Sequence, residues 1–176
     1  MIVEGSWASL LKVAAYIDLN AVRAGLVGDP KDYSWCGYAE AVVGDRRARK
    51  GLAATLTDMK AGATWRDVGP RYRKILFGIG EETSVRAGIS REEIAKVWRA
   101  GGRLSLAQLL RCRVRYMTDG MAIGSRSFLE RLFAAKRELF SERRKTAARR
   151  MKGGDWGELR AARALKVDPI SPAGDG

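Results

Sequence analysis

Apolar residues at helical spacing dominate this sequence, and that periodicity limits the folds open to the chain more than any other feature. In residues 7–27 they recur every three or four positions, until Gly25 and then the run Gly28-Asp29-Pro30 end the pattern. Alternating apolar and polar residues, which are typical of half-buried strands, are nearly absent. The sequence therefore predicts a mainly α-helical fold.

A trio of helices is predicted between residues 90 and 140. The middle helix is expected over 104–117, and the last helix begins the basic segment 125–150. A serine stands where each helix would be capped: Ser90, Ser105 and Ser127. Helix, short link, helix, glycine-containing turn and helix make up the outline of a helix-turn-helix unit, although a plain three-helix packing unit has the same outline.

Composition shifts divide the chain into four segments. Residues 1–43 form a first helical region, and residues 44–88 form a linker with short helices in which the basic run "GDRRARKG" is expected to be a loop. Residues 89–152 form the basic helical unit, and residues 153–176 form a tail that is expected to be frayed.

The cysteines and the start of the chain indicate a cellular compartment. Cys36 and Cys112 lack a Cys-x-x-Cys pairing, and no histidine is present to complete a zinc site with them. Both are therefore expected to be buried or half-buried thiols without a chemical function. The first residues carry Glu4 and lack a basic region, so they do not have the pattern of a secretory signal. We expect a cytoplasmic protein.

The charge of the chain indicates its partner. The net charge is +13, with 33 lysines and arginines against 20 acidic residues, and residues 100–176 contribute +9 of it from 17 basic and 8 acidic residues. Such an excess favours a polyanion. Nucleic acid is favoured over a membrane surface because the sequence shows no strongly amphipathic terminal helix. The candidate DNA-contacting side chains are Arg23, Arg111, Arg113, Arg115, Arg126, Arg131, Lys136, Arg137, Arg143, Arg144 and Lys145.

One stretch, "AAYIDLNAVRAGLVGDPKDYSWCGY" at residues 14–38, carries a more specific pattern. Tyr16 and Asn20 are four residues apart and share one face of a helix. Taken alone, a tyrosine at this spacing is most often half-buried with its hydroxyl on a neighbour. The whole stretch, however, closely resembles the end of the catalytic domain of REP-associated tyrosine transposases, members of the HUH superfamily that act on single-stranded DNA. The matching residues are Tyr16, Ile17, Asn20, Val22, Arg23, Ala24, Gly25, Leu26, Val27, Asp32, Tyr33, Trp35 and Tyr38.

A second and weaker resemblance lies in residues 111–133, which are similar to the C-terminal extension of longer bacterial members of that family. The sequence also departs from the family's pattern. Ala21 stands where the family usually has proline, and Cys36-Gly37 replaces a pair of serines. The larger departure is that the chain has no histidine, whereas the family uses a His-hydrophobic-His segment.

The resemblance implies that Tyr16 is a nucleophile that attacks a DNA phosphodiester and forms a 5′-phosphotyrosine. In the family a divalent metal, Mg²⁺ or Mn²⁺, polarises the phosphate, and two histidines hold it. A polar side chain one turn past the tyrosine completes the ligand set, and Asn20 occupies that position. Without histidines, this chain is expected to bind no metal alone and to be catalytically incomplete.

The sequence thus predicts the C-terminal fragment of a single-strand DNA tyrosine transposase, in which residues 1–43 are the tyrosine-helix end of the catalytic domain. Its expected partner is single-stranded or hairpin DNA, together with a second copy of the chain or an intact transposase. Three alternatives stay open: a stand-alone helix-turn-helix-like DNA-binding or regulatory protein, a remnant without activity, and a chain that lends its tyrosine to a partner's metal site.

Overall fold

The computed structural model describes residues 1–56, 62–77 and 91–172. About half of these residues are α-helical, and none of their helices is long and apolar enough to cross a membrane. The helices are α1 (Trp7–Asp18), α2 (Asn20–Arg23), α3 (Gly37–Val43), α4 (Arg46–Ala54), α5 (Trp65–Phe77), α6 (Arg91–Arg99), α7 (Leu106–Leu110), α8 (Tyr116–Asp119) and α9 (Arg126–Ala135). The strands are β1 (Ile2–Val3), β2 (Arg113–Val114), β3 (Ala122–Gly124), β4 (Arg149–Arg150), β5 (Arg160–Ala161) and β6 (Ile170–Ser171).

Short strands from both ends of the chain pair with the middle of the sequence. A mixed sheet has the order β1-β3-β5-β4, in which β1 and β3 are parallel and the other neighbours are antiparallel. A second sheet consists of β2 and β6, paired antiparallel. The prediction of a mainly helical fold is therefore confirmed in part, since the helices are accompanied by a small mixed sheet. The sequence did not predict the strands, because they are too short to leave an alternating pattern.

The hydrophobic core draws on all four segments that the sequence predicts. One cluster of buried residues includes Ala15 of α1, Tyr72 of α5, Leu109 of α7 and Ile170 of β6. A smaller cluster under α9 includes Ala122 of β3, Leu129 of α9, and Phe140 and Ala147 of the loop that follows. The segment boundaries stay predictions, but the segments they separate pack against a common core.

The helix expected over residues 104–117 is interrupted, so that prediction is wrong. Its start is confirmed, because Ser105 caps α7 and forms a capping box with Gln108. The helix ends at Leu110, and the chain then forms β2 through pairing with β6. Pairing with a segment more than fifty residues away overrides the local helical periodicity, which a sequence pattern cannot anticipate.

The capping serine of α9 is Ser125, not the predicted Ser127. Its hydroxyl accepts a hydrogen bond from the N–H of Phe128. Glu4 selects this position, because its carboxylate accepts hydrogen bonds from the Ser125 N–H at 2.6 Å and from the Ser125 hydroxyl at 2.8 Å. Burial raises the pKa of Glu4, but these hydrogen bonds outweigh it and lower the pKa overall. The predicted cap Ser90 lies outside the described residues.

Two segments expected to be irregular are ordered over the residues that the structure describes, 44–51 and 153–172. The basic run at residues 44–51 is mostly helix α4, because Asp45 caps it by accepting a hydrogen bond from the Ala48 N–H at 2.7 Å. The tail expected to be frayed contains β5 and β6, and Trp156 and Ile170 are buried in it. The apolar residues of this tail cover core surface that the helices leave open.

Candidate nucleic-acid interface

Tyr16 lies on α1 with its side chain buried against β2. The side chain is 8% exposed, and its hydroxyl oxygen accepts a hydrogen bond from the backbone N–H of Val114 at 3.1 Å. Val114 is fully buried, so this hydroxyl satisfies a main-chain donor that water cannot reach. The position of Tyr16 therefore agrees with the interpretation of a buried tyrosine whose hydroxyl bonds a neighbour.

Arg23 stacks on the ring of Tyr16. Its guanidinium carbon lies 3.7 Å from the ring centroid. Nη1 donates to the carbonyl oxygen of Leu110 at 2.6 Å, and Nη2 donates to the carbonyl oxygen of Tyr16, also at 2.6 Å. Burial lowers the pKa of the Arg23 guanidinium. Although Arg23 is a candidate DNA contact, its donors therefore join α1 and α2 to the end of α7.

Asn20 is the first residue of α2, where the resemblance places a metal ligand. Its side-chain oxygen accepts a hydrogen bond from Nη2 of Arg23, so a divalent cation at this oxygen would face a guanidinium group. Within the described ranges no three cysteine, aspartate or glutamate side chains come together to hold an ion, and the sequence has no histidine. Among the residues that the structure describes, the donors around Asn20 do not fit the Mg²⁺ or Mn²⁺ that the resemblance implies.

Asp18 forms a buried polar network that the sequence analysis missed. Its carboxylate is 4% exposed and accepts hydrogen bonds from the Tyr72 hydroxyl at 2.8 Å and the Tyr38 N–H at 3.3 Å. Burial raises the pKa of Asp18 although these hydrogen bonds favour its charged form. The network ties α1 to α3 and α5. A lone aspartate in an apolar-periodic helix is a signal for such a network, but its partners are distant in sequence.

The two cysteines are buried free thiols, as expected. Burial raises the pKa of Cys112 to about 12 and also raises the pKa of Cys36. Both thiols are therefore protonated at neutral pH. The Cys36 thiol donates to the carbonyl of Pro30 at 3.1 Å, which is a packing role.

The remaining candidate DNA contacts differ in exposure. The exposed ones are Arg113, Arg115, Arg126, Arg131, Lys136, Arg137, Arg143 and Lys145, while Arg111 and Arg144 are half-buried. Arg115 forms an ion pair with Asp119 at 3.2 Å, which balances part of its charge. Most of the exposed group lies on α9 and in the loop after it.

Arg137 and Arg144 organise the loop that follows α9. Arg137 stacks on Phe133 and donates to the carbonyl oxygens of Phe140 and Ser141, both at 3.1 Å. Arg144 donates to the carbonyls of Thr146 and Ala147, both at 2.9 Å, and to that of Ala162. Burial lowers the pKa of the Arg144 guanidinium. These two arginines hold the loop in shape, because backbone carbonyl groups accept hydrogen bonds from their guanidinium groups.

Two basic side chains, Arg126 and Arg144, lie near Glu130 in this region. The Glu130 carboxylate accepts a hydrogen bond from the Thr146 hydroxyl and others from the N–H groups of residues 147 and 148, so it ties α9 to the loop. These hydrogen bonds, together with the nearby charge of Arg126, lower the pKa of Glu130 despite some burial. Arg144 interacts with both Glu130 and Arg149, which brings β4 into the same group. We call four exposed residues the loop surface: Arg126 and Arg149, which lie near Glu130 and Arg144 respectively, and Arg143 and Lys145, which flank Arg144 in the chain.

The loop surface includes one residue that the sequence analysis missed. Arg149 stands in β4, an edge strand of the mixed sheet, and it is exposed. The run "RRKTAARRMK" is typical of a basic helix end, although its length also fits a loop and a strand. Only the pairing of β4 with β5 shows that its last arginines are held on a sheet.

Comparison of the chain with protein families, with curated proteins and with solved structures finds no match.

Proposed function

We propose that this chain is a DNA-binding protein related to the REP-associated tyrosine transposases and that it is catalytically incomplete on its own. The kinship is supported by the motif at residues 14–38. DNA binding is supported by the net charge of +13. In this proposal the chain binds single-stranded or hairpin DNA, and the isolated chain does not cleave it.

The observation that carries this proposal is the loop surface. Arg126, Arg143, Lys145 and Arg149 present positive charge from a helix, a loop and a strand. The Glu130 carboxylate, the acidic group near this surface, accepts hydrogen bonds from Thr146 and Ala147 and so also holds the loop. Phosphate backbones bind such surfaces because condensed counterions are released when lysine and arginine replace them.

The environment of Tyr16 supports the omission of cleavage. A phenol is a weak nucleophile at neutral pH unless a base or a cation assists it. The Tyr16 hydroxyl is occupied by the Val114 N–H, and the neighbouring cation, Arg23, is bonded to backbone carbonyls. A phosphate would have to displace both interactions before it could reach the tyrosine.

DNA binding is tested by fluorescence anisotropy with a labelled single strand and a labelled hairpin over a salt series. The variant Arg143→Gln, Lys145→Gln, Arg149→Gln should bind both more weakly. Its slope of log affinity against log salt should fall by about 0.7 for each phosphate of a single strand that the variant no longer neutralises. Failure of the unaltered chain to bind either DNA at low salt would overturn the proposal.

A matched control removes the same charge elsewhere. Arg46, Arg47 and Lys50 are three exposed basic residues of α4, and their replacement by glutamine should change affinity much less. Cleavage is tested separately by incubation of the chain with hairpin DNA and Mg²⁺ or Mn²⁺. A covalent protein–DNA adduct that Tyr16→Phe abolishes would contradict the claim of catalytic incompleteness.

A second candidate function, duplex binding by a helix-turn-helix unit, has its support at α3 and α4 and not at the predicted trio. Gly44 has a positive φ of 116° and ends α3, and Asp45 then caps α4. Two helices joined by so short a turn, with exposed Arg46 and Arg47 at the start of the second, resemble a recognition element. A larger loss of duplex affinity in the α4 variant than in the loop-surface variant would favour this candidate.

A further inference from the structure

A groove lies between the end of α6 and the segment that follows β4. Its volume is about 450 Å³, and its lining includes Trp98, Arg103, Arg150 and Lys152. Glycines at 102, 153 and 154 form much of the remaining wall. Ligand sites commonly have volumes of roughly 300–1,000 Å³, so the groove has room for a nucleotide unit.

The α6 wall of the groove is set by the way this helix ends. The N–H of Gly102 donates to the carbonyl of Val97 at 3.0 Å, and the N–H of Gly101 donates to the carbonyl of Trp98 at 2.9 Å. With Gly101 at a φ of 71°, these two bonds form a Schellman motif, which turns the chain sharply after the helix. The turn places Arg103 on the same groove as Trp98.

The opposite wall, formed by Gly153 and Gly154, is bonded to Trp98 and to Leu104. The indole N–H of Trp98 donates to the carbonyl of Gly153 at 3.3 Å, and Gly154 pairs with Leu104 in a parallel bridge. A Cβ atom on Gly154 would lie 2.6 Å from the buried Leu109 side chain, so the backbone passes closer to the core than any other residue permits. The groove is therefore preorganised and needs little ordering when a ligand enters.

The chemistry of the lining combines one aromatic face with three cations. Trp98 is 37% exposed although its indole nitrogen is bonded, so part of its ring faces the groove. Arg103, Arg150 and Lys152 supply positive charge, and no acidic side chain is among the residues that line the groove in the described part of the chain. An aromatic ring next to arginine and lysine is the combination that single-stranded nucleic acids use, because a base stacks while phosphates pair.

The groove is connected to the loop surface through β4. Successive side chains of a strand point to opposite faces of the sheet. Arg149 interacts with Arg144 on the loop side, and Arg150 lines the groove. A single strand that crosses the edge of β4 could thus contact the loop surface with its backbone and reach Trp98 with a base.

We infer that this groove binds single-stranded DNA, with a base stacked on Trp98 and the adjoining phosphates paired with Arg103, Arg150 and Lys152. The inference rests on the proposed DNA-binding function and names the site at which a single strand is distinguished from a duplex. Paired bases in a duplex are stacked on one another and cannot cover an indole ring, so the duplex contacts only the charged side chains.

The test measures the affinity of the full chain for labelled oligothymidine, for an abasic sugar-phosphate strand of equal length and for a duplex. Trp98→Ala should weaken oligothymidine binding by roughly 5- to 100-fold, the range found for the loss of one base–aromatic stack. Trp98→Phe should restore most of this affinity. Binding of the abasic strand and of the duplex should change less than about twofold.

Trp35→Ala is the matched control, because Trp35 is 85% exposed and belongs to the segment before α3. It should leave oligothymidine binding unchanged. A circular dichroism spectrum and an unfolding curve for each variant establish that it is folded. Should Trp98→Ala prove unfolded, Arg150→Gln tests the phosphate pairing in the groove instead, because its salt slope for oligothymidine should fall by about 0.7. An unchanged slope would overturn the assignment of the groove as the site.

The outcomes separate the groove from the proposed function. Equal affinity of Trp98→Ala and the unaltered chain for oligothymidine overturns the groove and leaves DNA binding by the loop surface intact. Equal losses for oligothymidine and the abasic strand overturn the stacking claim. Binding of an acidic peptide in the groove in preference to oligothymidine would overturn the choice of nucleic acid, and no binding of any DNA would remove the proposed function itself.

Discussion

Tyr16 and Trp98 are both aromatic residues beside arginine, but their surroundings differ in what is left for a ligand. The Tyr16 hydroxyl accepts a bond from Val114, and Arg23 covers its ring while donating to two carbonyls. Within the part of the chain that the structure describes, Trp98 donates one hydrogen bond from its indole nitrogen, and its ring borders an open groove with several cations. The comparison teaches that a residue in a motif that resembles a catalytic one can have all its polar and aromatic groups in contact with the rest of the chain. A binding site instead needs polar and aromatic groups that the fold holds in place and leaves accessible to a ligand.

Truncation of the two aromatic residues should sharpen this comparison most. Tyr16→Ala should lower the free energy of unfolding by about 3–5 kcal/mol, because it leaves a cavity and an unsatisfied Val114 N–H. Trp98→Ala should cost about 1–2 kcal/mol, since the side chain is partly exposed. Urea unfolding followed by circular dichroism measures both. A larger loss for Trp98→Ala than for Tyr16→Ala would break the comparison.

The pH dependence of the free energy of unfolding tests whether the Asp18 carboxyl is buried as the structure shows. Burial raises its pKa above the ordinary 3.8, so between the two values the folded protein holds a proton that the unfolded chain releases. The Asp18 contribution to the free energy of unfolding should therefore fall as pH rises, by about 1.4 kcal/mol per pH unit within that window. Groups that face this carboxyl are the Tyr72 hydroxyl, the Gly37 and Tyr38 amides and the Cys36 thiol.

Urea unfolding of the unaltered chain and of Asp18→Asn from about pH 4 to about pH 7 measures this effect, as the stability difference between the two chains. Asp29→Asn is the opposite control. Burial raises the pKa of Asp29, but its ion pair with Arg73 at 2.7 Å outweighs this and lowers the pKa. The contribution of Asp29 should stay constant over this pH range and should be lost only as pH falls below the ordinary pKa of 3.8, so the measurements on this variant are extended to lower pH. A stability difference for Asp18→Asn that grows with pH would contradict the assignment.

The smallest expected effect separates the two roles considered for Tyr16. Tyr16→Phe keeps the ring under Arg23 and removes only the acceptor of the Val114 N–H, so it should cost about 1 kcal/mol of unfolding free energy. Affinity for single-stranded DNA should stay unchanged. A neutral effect on stability together with a loss of DNA binding or of a covalent adduct would show that the hydroxyl serves DNA and not the fold.

Local chemistry makes several features predictable from the sequence. The cap of α7 at Ser105 depends on a residue three positions away, and the burial of both cysteines follows from their isolation and from the lack of metal partners. The predictions for the cap of α9 and the end of α7 are wrong for the opposite reason. Ser125 is selected by Glu4, and the helix after Ser105 stops where β2 meets β6, so both depend on residues far away in the sequence.

Some residues of the candidate site can likewise be predicted from the sequence, and others depend on residues far away in the chain. The exposed arginines of α9 and its loop can be identified from charge alone, because long basic side chains are seldom fully buried. Arg23 and Arg144 look the same in a sequence, yet the carbonyl groups of Leu110 and Ala162, in other segments, accept hydrogen bonds from them. The donors of Arg137 are bonded to carbonyl groups of the loop that follows it. Trp98 could not be singled out, since the residues that share the groove with it come from two segments about fifty residues apart.

The sequence by itself determined the helical periodicity, the positive charge that favours a polyanion and the presence of a tyrosine motif without histidines. Only the tertiary structure decided that the Tyr16 hydroxyl meets a buried N–H and that Trp98 borders a groove with three cations. The physical reason is that periodicity and net charge are sums over neighbouring residues, whereas the use of a donor, an acceptor or an aromatic face depends on which remote backbone packs against it.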